Sequence, residues 1–144
     1  MARKTRKIRQ YCRKGVSLIS ANKISPKNWQ LSDKEIGQAL KLLGIRVKKV
    51  KKIRYLKHQV CISWWDEKGN VCSSFFSYRI FAYWQAEVER LINACHTLKD
   101  FYRIIGYIQY DLENFPYPLE MSDEIAIALE NQECQLRVAT RKAA

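Results

Sequence analysis

The run IRVKKVKKIRYLK, Ile45 to Lys57, holds seven cationic side chains in thirteen positions: Arg46, Lys48, Lys49, Lys51, Lys52, Arg54 and Lys57. No acid interrupts it. The chemistry open to such a row is the binding of a polyanion, because each phosphate neutralised by Lys or Arg releases condensed counterions. A second cationic group lies near the N-terminus, at Arg3, Lys4, Arg6, Lys7, Arg9, Arg13 and Lys14, an arm of the kind that follows a nucleic-acid groove. Arg54 and Arg46 are the candidates for reading bases, since a guanidinium offers two parallel donors to guanine. Tyr55, Trp64 and Trp65 stand near the cations in sequence and are candidates for base stacking. Adjacent tryptophans on a strand point to opposite faces, so at most one of this pair is expected in the core.

Other chemistries find less support. Asp66, Glu67 and Lys68 resemble the acidic and lysine groups of metal-dependent nucleases, but they fall where a hairpin tip is expected. His58 and His96 have no serine or cysteine at a nucleophile spacing. There is no CxxC, and His58 and Cys61 would alternate faces on a strand, so no metal site is expected. Five scattered glycines form no phosphate loop. Asp111 and Glu113 sit at the end of a predicted helix with no evident partner. The expectation is a non-enzymatic protein without cofactor.

The charge is unevenly spread. Residues 1–60 carry 18 Lys/Arg against two acids, and residues 61–144 carry 8 against 12, so a net of +16 is followed by −4. Concentrated charge is the pattern of a binding face. The five cysteines are odd in number and far apart, the N-terminus MARKTRKIRQ has no apolar signal region, and no apolar run approaches the ~18 residues of a membrane span. These features read as a cytoplasmic, thiol-reduced protein that does not engage a membrane.

Residues 1–14 are expected to be a basic flexible arm. Residues 15–144 form one α+β domain, basic to about residue 60 and helical and acidic over 77–142. Residues 15–31 suit a short strand or an irregular lead-in equally. In SDKEIGQALKLLG, Ser32 and Glu35 make a capping box. Ile36, Ala39, Leu40 and Leu43 line one stripe, and Gly44 ends the helix. The apolar positions 47, 50, 53 and 56 keep a period of three, between strand and helix, while β-branched Val47, Val50 and Ile53 favour a strand. Two β-rich runs then flank Asp66 to Gly69, a four-residue hairpin loop that sets Cys72 opposite Ser63.

Three helices follow. Ser77 caps the first, over about 78–95, with Phe81, Trp84, Val88, Leu91 and Cys95 inward. Thr97 caps the second, with Phe101, Ile105, Ile108 and Leu112 inward. FPYP at 115–118 breaks the chain, Ser122 caps the last helix, and ATRKAA frays. The fold class is α+β: a small antiparallel sheet of two or three strands, with its hairpin near 58–76, packed by about four helices.

The residues KHQVCISWWDEKGNVCSSFFSYRIFAYWQAEVERL, about a quarter of the chain, loosely resemble AP2-type domains. In that family a three-stranded sheet enters the major groove and a helix braces it. Phe76, Ala82 and Ala86 fall near the family's aromatic and small helix positions, while Ser73-Ser74 replaces its Leu-Gly pair and its signature arginines are not placed. The rival layout is a helix-turn-helix, with RVKKVKKIRYLK as the recognition helix. Ala39 to Gly44 is one residue longer than the usual spacing, and the β-branched residues suit a recognition helix poorly.

The function expected is nucleic-acid binding through the arm and the 46–57 row, duplex DNA slightly ahead of RNA, in an accessory or regulatory subunit of a nucleoprotein assembly. The alternative is an adaptor that docks on an acidic protein surface. Tyr83, Tyr102, Tyr107 and Tyr110 are candidates for a protein partner or self-association through the C-terminal helices.

Overall fold

A computed structural model describes residues 17–143; the basic arm, with Arg3 through Lys14, lies outside the described residues. The elements run α1 (Asp33–Leu42), β1 (Lys49–Tyr55), β2 (Gln59–Trp65), β3 (Val71–Ser77), α2 (Ala82–Asn93), α3 (Leu98–Asn114) and α4 (Leu119–Ala143). The three strands form an antiparallel meander in the order β1-β2-β3. The expected α+β architecture, with its small sheet and four helices, is present.

Residues 17–31 form the irregular lead-in: turns, then a short 3-10 turn at Pro26–Asn28. Its apolar residues are core residues nonetheless. Leu18, Ile24, Trp29 and Leu31 are buried, and Trp29 stacks edge-on against Tyr78 and Trp84.

In α1 the Ser32 hydroxyl accepts the Glu35 amide at 3.2 Å, and Gly44 adopts φ +79°. The reciprocal half of the capping box is missing, since Glu35 Oε2 is buried without a partner among the described residues. Ile36, Ala39 and Leu40 are buried, but Leu43 at the helix end is exposed. α1 is the helix that lies against β1.

Residues 49–55 are a strand, which removes the recognition-helix layout. The register explains the period of three. Val50 pairs with Trp64 and Lys52 with Ser63, leaving Lys51 as the extra residue of a β-bulge. A bulge shifts the alternation by one, so Val50 and Ile53 both pack on the core although three apart. The sequence pattern was the sum of a strand and a bulge.

The hairpin loop is one residue longer than expected. Asp66 Oδ1 accepts the amides of Lys68 at 2.9 Å and Asn70 at 2.8 Å, which draws Asn70 into the turn. Trp65 therefore pairs with Val71, and Ser73, not Cys72, stands opposite Ser63.

The helical half departs from the expected stripes. Ser77 caps a 3-10 turn, Tyr78–Ile80, and α2 begins only at Ala82. Its buried face is Trp84, Val88 and Ile92, with Leu91 half-buried. Thr97 does cap α3, accepting the Asp100 amide at 3.1 Å. The inward face of α3 is Phe101, Ile104, Ile108 and Asp111, while Ile105 and Leu112 are half-buried. α4 starts at Leu119, so Ser122 lies inside its first turn and donates to the Leu119 carbonyl at 2.8 Å. The helix continues through Ala143 where fraying was expected. No helix of the described residues is long and apolar enough to cross a membrane.

Candidate nucleic-acid interface

The sheet has one covered face and one open face. Val60, Ile62 and Trp64 of β2 point inward and are buried, with Val50, Ile53 and Tyr55 of β1 and Phe76 of β3 beside them. Trp64 packs on Phe76 with ring centroids 5.9 Å apart. Alternation sends the remaining side chains outward.

Three cross-strand rows make the outer face. Arg54 lies beside Cys61 and then Phe75, Lys52 beside Ser63 and Ser73, and Lys49 beside Trp65 and Val71. Cations thus occupy β1, Cys61, Ser63 and Trp65 the middle strand, and Phe75, Ser73 and Val71 β3. The Ser63 and Ser73 hydroxyls are 3.1 Å apart, and the Cys61 sulfur is 3.8 Å from Ser73 Oγ.

The bulge raises the charge density of β1. Strict alternation over Lys49–Tyr55 would give either face two cations, but with Lys51 and Lys52 both projecting outward the outer face has four, Lys49, Lys51, Lys52 and Arg54. Lys49 and Lys51 place their ammonium groups 6.0 and 5.7 Å from the Trp65 ring centre, a cation–π geometry that holds both on the outer face. Lys48, Lys49, Lys51, Lys52, Arg54 and Lys57 are all exposed. Among the described residues, ion pairs are made by Arg46, Arg79, Arg90 and Arg137, and none of these six cations takes part. Arg46 is 3.7 Å from Glu67. β1 is also an edge strand, so its cations stand at the rim of the sheet.

Of the three stacking candidates, only Trp65 stands with the lysines. Trp64 is core, and Tyr55 faces inward, where its hydroxyl accepts the Leu31 amide at 2.9 Å. Phe75 was not anticipated as a site residue; it is 59% exposed on the β3 side of the outer face. Placing Trp64 inward, with the correct hairpin register, would have sent Phe75 outward.

The acidic groups behave as structural parts. Asp66 ties the hairpin turn, Glu67 faces Arg46, and Asp111 is fully buried against Arg79. Asp111 thus has the partner that its sequence position did not disclose. Tyr83 packs on Trp29 at 4.7 Å, Tyr102 accepts a bond from Arg137 at 3.2 Å, Lys23 sits 5.2 Å over Tyr107, and Tyr110 is half-buried.

The AP2-like layout is not reproduced. Phe76 does face the core, but Ala82 and Ala86 are exposed, and it is α1 that lies against the sheet. Comparison of the chain with protein-family models, curated proteins and solved structures finds no match.

Proposed function

We propose that this is a non-enzymatic nucleic-acid-binding protein whose partner lies on the outer face of the sheet. What carries the reading is the row Lys48, Lys49, Lys51, Lys52, Arg54 and Lys57: six exposed cations, four on one edge strand and one just beyond each of its ends, outside every ion pair among the described residues. Exposed cations of like sign held at close spacing repel one another, and a polyphosphate relieves that repulsion while shedding its counterions.

Duplex DNA fits this face better than duplex RNA. Three strands span about 10 Å from β1 to β3, which matches the ~12 Å width of the B-form major groove. The A-form major groove is too narrow for side chains to read. The N-terminal arm adds phosphate contacts, and the C-terminal helices build the core.

Fluorescence anisotropy against labelled duplex DNA, single-stranded DNA and structured RNA across a salt series tests the proposal. A log–log slope of about −5 or steeper is expected on duplex DNA. Changing Lys48, Lys49, Lys51 and Lys52 together to Gln should flatten it by about three units. Binding no stronger than that of an unstructured polycation, or a slope indifferent to those four residues, would sink it. An acidic protein partner for the same strip then becomes the leading reading.

A further inference from the structure

The outer face has an apolar side as well as a cationic one, and phosphate binding leaves that side unused. Phe75 is 59% exposed and Val71 is 52% exposed, both on β3. They share cross-strand rows with Arg54 and Lys49 respectively. On β2, Cys61 stands between Phe75 and Arg54 and Trp65 between Val71 and Lys49, while the small Ser63 and Ser73 leave the row between them shallow.

Two apolar groups on such a face could meet stacked bases of a single strand or the floor of a duplex groove. Trp65 decides between them. Its ring is already engaged by the Lys49 and Lys51 ammonium groups, so Phe75 is the free aromatic of the outer face. Single-strand platforms stack successive bases on several aromatics. In the major groove, by contrast, a lone apolar side chain has a defined target, the C5 methyl of thymine. Spacing agrees. Val71 and Phe75 are four residues apart on an antiparallel strand, about 14 Å, which equals about four base-pair steps at ~3.4 Å each.

We infer that β3 reads thymine methyl groups: Phe75 and Val71 each touch one, about four base pairs apart, while Arg54 in the row of Phe75 addresses a neighbouring guanine. This rests on the nucleic-acid reading above and narrows it to duplex DNA, because uracil has no such methyl. Phosphate contacts by β1 set the register, and β3 supplies the sequence preference.

The test begins with selection of binding sites from a random 20-base-pair pool by the full chain. The selected duplex is then compared with the same duplex carrying deoxyuridine for thymine, which removes only methyl groups. Wild-type protein should lose about fourfold in affinity for each contacted methyl. Phe75→Ala, at an exposed position, should lose sensitivity to one of the two and leave the salt slope unchanged. Equal affinity for the two duplexes with a steep salt slope overturns the inference and leaves the proposed function standing. A pool that stays random also overturns it, as does a preference for single strands that Phe75→Ala abolishes. A flat salt slope on every polymer removes the underlying function as well.

Discussion

Arg79 grips Asp111 through two parallel bonds, Nε to Oδ2 at 2.6 Å and Nη2 to Oδ1 at 2.7 Å, in the interior of the protein. Both side chains are almost fully buried. The carboxylate also accepts the Leu18 amide at 3.3 Å and the Tyr117 hydroxyl, and Trp84 Nε1 donates to Tyr117 at 2.9 Å. The guanidinium lies 3.7 Å from the centre of the Phe115 ring and 4.7 Å from that of Trp84. One pair thus ties the lead-in, the 3-10 turn after β3, α2, α3 and the FPYP break. Burying both ions costs several kcal/mol, which this bidentate and fully bonded geometry offsets.

Removing one partner should therefore do far more harm than removing both. Asp111→Leu or Arg79→Met, each leaving an unpaired buried partner, is expected to lose about 3–5 kcal/mol of unfolding free energy. The double replacement Arg79→Met with Asp111→Leu should lose less than the sum of its single changes. Urea denaturation of the four proteins measures this, and strictly additive losses would refute the coupling.

Much of the fold was legible because its signals are local. Ser32, Thr97 and Gly44 act at the positions their residue types predict, through bonds to amides within a few residues. What was illegible depended on partners distant in sequence. Asp111 lies 32 residues from Arg79, and nothing in IIGYIQYDLENF distinguishes a buried acid from a solvated one. The bulge at Lys51 hid in a period of three that alternation alone could not explain. The hairpin register was missed by one residue because Asp66 captures two amides, and that slip concealed Phe75. The cationic row itself was plain from composition; which aromatic shares its face was not.

Trp65 seats Lys49 and Lys51 over its ring. Exposed cation–π contacts contribute about 0.5–1 kcal/mol each, so losing the ring frees both ammonium groups without opening the core. Trp65→Leu is expected to cost about 1–2 kcal/mol, the two contacts together, and to weaken duplex binding several-fold. Trp64→Leu, which truncates a buried side chain, should instead destabilise by about 2–4 kcal/mol. Thermal melts and anisotropy on both variants check the contrast, and equal effects on stability would contradict the assigned faces.

Tyr78 is fully buried and donates to the Leu56 carbonyl at 2.6 Å. Burial, reinforced by Tyr55 nearby, pushes its hydroxyl up to about 12. In the unfolded chain the same group ionises near its ordinary value of about 10. The folded state therefore holds a proton that the unfolded state releases, and the stability this contributes is complete below about pH 10 and lost as the pH climbs towards 12. Tyr117 is raised in the same direction by burial and by the Asp111 charge. Tyr78→Phe should be less stable than wild type at neutral pH, having lost the bond to Leu56. Its stability should fall less steeply between pH 10 and 12, and parallel pH profiles for the two proteins would disprove the linkage.

Asp66 offers a clean separation of structure from chemistry. Its Oδ1 accepts the amides of Lys68 and Asn70, and the turn closes with Gly69 at φ +83°. A left-handed backbone of this kind strains any residue with a β-carbon. Asp66→Ala and Gly69→Ala should each cost about 1 kcal/mol of stability, through lost bonds in one case and strain in the other. Because Asp66 orders the turn that joins β2 to β3, its loss should also blur the register of Phe75. Duplex affinity would then fall modestly while the salt slope set by β1 stays the same. Glu67→Gln, which releases Arg46 from its 3.7 Å neighbour, is expected to act oppositely and strengthen binding at low salt. If either hairpin change instead abolished a divalent-dependent cleavage of nucleic acid, Asp66 and Glu67 would be catalytic groups and the binding-only reading would fall.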